Sequence, residues 1–122
     1  MKAITLMYAA NATLLLLHEL ESSYEKEWEI LKLPGGLTGF LLLHVPIIIL
    51  VFYGLLEMEK TSPAGLILGI VLGIGGVIPF LVHKVFFRAP GRFNLHISNA
   101  IIYLNILTGC SLLFLSARLI SA

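Results

Sequence analysis

Four long apolar runs, each closed by polar or helix-breaking residues, organise the chain; they cover roughly residues 3–20, 37–56, 64–83 and 96–117. A helix rises 1.5 Å per residue, so about 20 residues cross the roughly 30 Å hydrocarbon core of a bilayer. Every run is near that length, and none alternates with the period of two that a membrane barrel strand requires. The pattern predicts an all-α integral membrane protein, a four-transmembrane-helix bundle forming a single domain over residues 1–122.

The breaks between runs carry their own signals. After Leu20 the first helix is expected to leave the membrane as an amphipathic extension, with Tyr24, Trp28 and Leu31 in the interface and the charges in water. Leu33-Pro34-Gly35-Gly36 stops it. Ser62 and Pro63 read as N-cap and first helical residue of the third span, and Asn94 reads as N-cap of the fourth. Pro90-Gly91 marks a turn between them. Gly65, Gly69 and Gly73 form a small-residue stripe that admits close helix packing, within the bundle or between copies as a homo-oligomer. Asn11, near mid-membrane, is expected to hydrogen-bond across to another helix.

Composition narrows the function classes. With 58% hydrophobic and 12% charged residues, the chain is not a water-soluble domain. The first run follows Lys2 as a signal peptide would, but an acidic segment succeeds it without a small-x-small cleavage pattern, so it reads as a retained helix. A net charge of +1 gives no reason to expect nucleic acid, and the one cysteine, Cys110, has no partner for an intramolecular disulfide. Lys26, Lys32, Lys84, Arg88 and Arg92 flank one membrane face and Lys2, Lys60 and Arg118 the other. That excess places the first face toward the cytoplasm.

The same face collects the ionisable chemistry. Each span brings one histidine to it: His18, His44, His83 and His96. His44 lies about seven residues inside its span, roughly 10 Å below the loop. If helix continues past Leu20, His18, Glu21 and Glu25 share a stripe, with Trp28 a turn further. Imidazoles and carboxylates from separate helices of a bundle are the donor set of Zn²⁺, Fe or Mn sites. The expected metal ligands are therefore His18, Glu21, His44, His83 and His96, with Glu19 or Glu25 as general base and Glu27, Trp28, Asn99 and Tyr103 supporting them. The plainer alternative makes His18, His83 and His96 interfacial residues that meet water or headgroups. His44 argues against it, because ionisable groups inside spans usually face the bundle interior.

His18-Glu19-Leu20-Glu21 followed by Glu27-Trp28, then His44 and Pro46, His83, and Phe93 with Ser98, also form a pattern. It resembles the small bacterial four-span membrane proteins of unknown function with a His-Glu-Leu-Asp…Glu-Trp signature, related in style to HXXEE-domain proteins. Here Glu21 stands where that signature has Asp, and Ser22 where a strict His-x-x-Glu-Glu has its last Glu. The resemblance implies the four-span fold and a bacterial inner membrane. It supports His18, Glu19, Glu21, Glu27, Trp28, His44 and His83 as functional positions, and brings no activity.

Three functions fit this reading. The first is a metal-dependent membrane enzyme, of hydrolase or isomerase type, acting on a lipid-like substrate drawn from the membrane. The second is a non-catalytic metal or haem-binding protein, although no C-x-x-C-H attachment motif is present. The third is a small structural subunit that uses the glycine stripe to hold a partner.

Overall fold

The computed structural model describes residues 1–122 as helices joined by turns. Helix α1 spans Ala3–Tyr24, the short α2 Glu27–Ile30 and α3 Gly36–Glu59. Helix α4 spans Pro63–Phe80 and continues as a π-helical segment, Leu81–Phe86; α5 spans His96–Ile120. Four helices are long and apolar enough to cross a membrane: α1, α3, α4 with its π-helical end, and α5, whose mean hydropathies are 1.3, 2.4, 2.5 and 1.9. The all-helical four-span bundle is thus as the apolar runs foretold. The helices outrun those runs at several ends, because polar caps and first turns lie beyond the apolar residues.

Close approach of α4 and α5 forms the centre. A Cβ on Gly73 would lie 2.7 Å from the Gly109 carbonyl oxygen, and one on Gly109 would lie 2.7 Å from that of Gly73. Gly69 meets Ser116 and Met58, and Gly65 meets the backbone at Glu57 and Met58. The glycine stripe makes these close contacts inside the chain. Asn11 crosses helices: its Nδ2 donates to the Leu72 carbonyl at 2.9 Å, and Thr108 Oγ1 donates to its Oδ1 at 2.8 Å. The third span is capped where the sequence indicated. Ser62 Oγ accepts from Gly65 N at 3.0 Å, and Pro63 opens the helix. At α5 the cap position falls one residue later, on Leu95 rather than Asn94.

Helix α3 is peripheral. Its buried residues, Val51, Gly54 and Met58, all lie in its second half. There Tyr8 of α1 donates its hydroxyl to the Val51 carbonyl at 2.9 Å. The first half of α3 packs more loosely against α1 and α4, leaving an apolar cavity of about 220 Å³ between the three.

The α4–α5 contact yields a paired expectation. Gly73→Ala should destabilise the bundle by about 1–3 kcal/mol, because a backbone carbonyl cannot rotate aside as a side chain can. Gly75→Ala, whose Cβ would meet only Leu15 Cδ2 at 3.5 Å, should be neutral or slightly stabilising. Thermal unfolding of the two variants in one detergent measures the difference.

Candidate metal centre

The site is made by a break in helix α1. Glu25 N still donates to the Glu21 carbonyl at 2.8 Å, but Lys26 takes a left-handed conformation, φ 52° and ψ 54°. The chain turns there and starts α2 at Glu27, which folds back beneath the bundle. In an unbroken helix Glu27 would lie roughly two and a half turns past His18, on the opposite face. The turn brings it to the same side.

Three ligand atoms, one each from His18, Glu27 and His83, lie within 4.8 Å of one another. The residues are nearly inaccessible, at 2%, 8% and 8% exposure. The rings of His18 and His83 are 5.0 Å apart between centroids and tilted by 57°. His83 Nε2 stands 2.8 Å from Glu27 Oε1, yet this nitrogen has no aligned hydrogen-bond partner, and neither has His18 Nδ1. A buried polar atom left so costs about 1–3 kcal/mol. An ion placed among the three groups would take one ligand atom from each, so the residues present could hold a metal ion.

The surroundings hold these groups in place. His18 Nε2 and Ser22 Oγ are 3.3 Å apart. Phe93, buried and at φ 53°, stacks on His83 with ring centroids 4.0 Å apart and shuts that side from water. His83 sits in the π-helical turn that follows Pro79, where wider i→i+5 bonding alters the face each residue presents. Burial alone would raise the Glu27 pKa. The His83 ring and the Ser22 hydroxyl, with the charges available on His18 and His83, outweigh it and hold the carboxyl below its usual value. Glu27 is therefore ionised, as a ligand must be.

A second pair faces the same cavity. His44 Nε2 lies 2.6 Å from Glu19 Oε2, and its Nδ1 is 2.7 Å from the Phe40 carbonyl oxygen. That oxygen can only accept, so Nδ1 carries the proton and Nε2 is the nitrogen turned to Glu19. Phe40 packs on the His44 ring at a tilt of 34° with centroids 4.1 Å apart, and half-buried Trp28 packs against Phe40 at 5.5 Å. His18, Glu19, Glu27 and His44 all line the cavity, and its remaining walls are mostly apolar.

The other expected site residues lie elsewhere. Glu21 accepts from the Ser98 hydroxyl and so ties α1 to α5. Glu25 takes the end of α1, and its backbone carbonyl accepts from Arg92 Nη1 at 2.9 Å. His96 is exposed at the first residue of α5 and outside the cluster. Asn99 accepts from Lys84 Nζ, and Tyr103 is 54% exposed. The single pocket of four histidines is therefore corrected to a His18–Glu27–His83 group beside a Glu19–His44 pair. The cause is local: one residue in a left-handed conformation exchanges Glu27 for Glu21 and Glu25.

Four membrane-crossing helices around an inward His/Glu/His group define a polytopic membrane protein with a candidate metal centre. The chain belongs to the family of unknown function DUF6713, whose model matches residues 4–119. No curated protein and no solved structure matches it.

The turn at Lys26 can be tested. Proline is confined to φ near −65°, so Lys26→Pro should displace Glu27 and lower metal retention at least about tenfold. Lys26→Gly should keep it, with stability unchanged or raised by up to about 1 kcal/mol. Bound metal per chain after gel filtration reads the first effect, and thermal unfolding the second.

Proposed function

We propose that this protein is a metal-dependent membrane enzyme, of hydrolase or isomerase type, that acts on a lipid-like substrate. The observation that carries the reading is the buried meeting of His18, Glu27 and His83, whose ligand atoms lie within 4.8 Å of one another inside a membrane bundle. Two nitrogens and one oxygen suit Zn²⁺ or Fe²⁺ first and Mn²⁺ after them. Three protein ligands that leave a coordination position free are the arrangement of catalytic rather than structural zinc sites. Such an ion supplies Lewis acidity and makes water a nucleophile near neutral pH.

The remaining roles belong to the chain. Glu19 lines the cavity with His18 and Glu27 and is the base that takes a proton; Glu25 caps a helix instead. His44, oriented by the Phe40 carbonyl, lies 2.6 Å from Glu19 and shares a proton with it. Leu15, Leu16, Ile47, Val51, Ile78 and Val82 offer apolar walls to a hydrocarbon chain whose polar end meets the His/Glu groups. The excess of Lys and Arg on this membrane face supports a cytoplasmic orientation in a bacterial inner membrane. A haem is disfavoured, because 5.0 Å between the imidazole centroids leaves too little room for a macrocycle between them.

Elemental analysis of detergent-purified protein should find about one equivalent of Zn, Fe or Mn per chain. Glu27→Gln and His83→Ala should lose it, and His96→Ala should keep it. Glu19→Gln should keep the metal while slowing turnover of a lipid species in a native lipid extract by about 10²–10⁴-fold, the usual worth of a general base. Wild-type protein without stoichiometric metal would overturn the metal reading. Metal retained with no lipid altered would leave a binding protein in place of the enzyme.

A further inference from the structure

The π-helical end of α4, the turn over residues 87–95 and the start of α5 enclose a second cleft, of about 590 Å³. Lys84, Arg88 and Arg92 line it with Asn94 and Asn99, and no carboxylate is among its lining residues. Two of the three cations have no acidic partner. Lys84 Nζ donates to the neutral amide of Asn99, and Arg88 Nε donates to the Lys84 carbonyl at 2.9 Å. Arg92 is held by the Glu25 carbonyl at 2.9 Å and reaches Glu29 only at 3.5 Å. Each cation is therefore tethered by its own chain, which lowers the entropy cost of closing on a ligand. The terminal nitrogens of Arg88 remain free to fork onto an anion.

The position of the cleft names the anion. Phe86, Phe87, Leu95 and Ile97 flank the turn with exposures of 69%, 46%, 62% and 62%. Apolar residues so exposed at the ends of two spans lie against lipid, which puts the neighbouring cations at headgroup level. Beneath the cations the cleft ends on Phe80 and Tyr103, whose rings are 6.0 Å apart. They form an aromatic strip between α4 and α5 along which a hydrocarbon chain can lie. We propose that this cleft is a phosphate-group site filled by the headgroup of a membrane phospholipid, with Lys84 and Arg88 as its principal contacts. A free phosphate ion shares the charge but makes no use of the aromatic strip. The site needs no metal; His83 and Phe93 also line the cleft, but the headgroup contacts are Lys84 and Arg88, so the proposal is tested apart from the reading of the His18–Glu27–His83 group.

Full-length protein in neutral detergent, titrated with phosphatidylglycerol and with phosphate-free diacylglycerol and read by native mass spectrometry, tests it. The phospholipid should be retained at least about tenfold more strongly than the diacylglycerol, and millimolar inorganic phosphate should not displace it. Lys84→Gln with Arg88→Gln should weaken retention about 30-fold, as expected for two cations near a headgroup. Arg88→Gln alone should weaken it about fivefold, and serves if the double variant fails to fold; Lys84→Arg should keep it. Equal retention of both lipids, displacement by inorganic phosphate, or binding unchanged in Arg88→Gln would each overturn the proposal. Metal content measured on the same Arg88→Gln sample should be that of the wild type, so loss of lipid binding and loss of the metal centre are told apart.

Discussion

Water is scarce inside a membrane bundle, and a polar atom buried there must find a partner within the chain or bind something that supplies one. His18 and His83 are enclosed by α1, the end of α4 and Phe93, and Glu27 is turned in beneath them. Elsewhere several buried polar side chains settle the demand internally, while Thr5, Asn105 and Ser116 keep polar atoms without a partner. Asn11 bonds to Leu72 and Thr108, Tyr8 to Val51, and Glu21 to Ser98. At the His/Glu group a nitrogen on each ring lacks an aligned hydrogen bond, and ligand atoms of His18, Glu27 and His83 lie within 4.8 Å of one another. That convergence separates a group able to hold a metal ion from a scatter of interfacial histidines.

The packing of the helices decides what reaches this space. Glycines let α4 and α5 meet backbone to backbone, so their contact is closed. Helix α3 has its buried residues in its second half, while its first half meets the bundle through Phe40 and His44 and leaves the cavity beside the site. The polar groups therefore sit at one end of an apolar chamber rather than on a surface. His44, although on α3, meets Glu19 across that chamber at 2.6 Å and closes its polar end.

The four spans were legible because hydrophobicity over about 20 residues is a strong signal that tertiary context cannot reverse. Ser62-Pro63, Asn11 and the glycine stripe were legible for the same reason: each has a local chemistry with few outlets. The site was legible in part. Histidines at 18, 44 and 83 do face the interior, and Glu19 does stand beside one of them. The exchange of Glu21 and Glu25 for Glu27 was not legible, because it depends on Lys26 adopting φ 52°. Lysine carries no mark of a left-handed turn as glycine or asparagine would. His96 was misplaced on the inward face because a first-turn residue is fixed by the approach of its loop, not by helical phase.

The central claim is that one ion binds His18, Glu27 and His83 together, and X-ray absorption at the metal edge of loaded protein tests it most directly. The account predicts two imidazole nitrogens and a carboxylate oxygen at about 2.0–2.2 Å, with one imidazole contribution lost in His18→Ala. A spectrum fitted by oxygen scatterers alone, or one identical in wild type and His18→Ala, would contradict it.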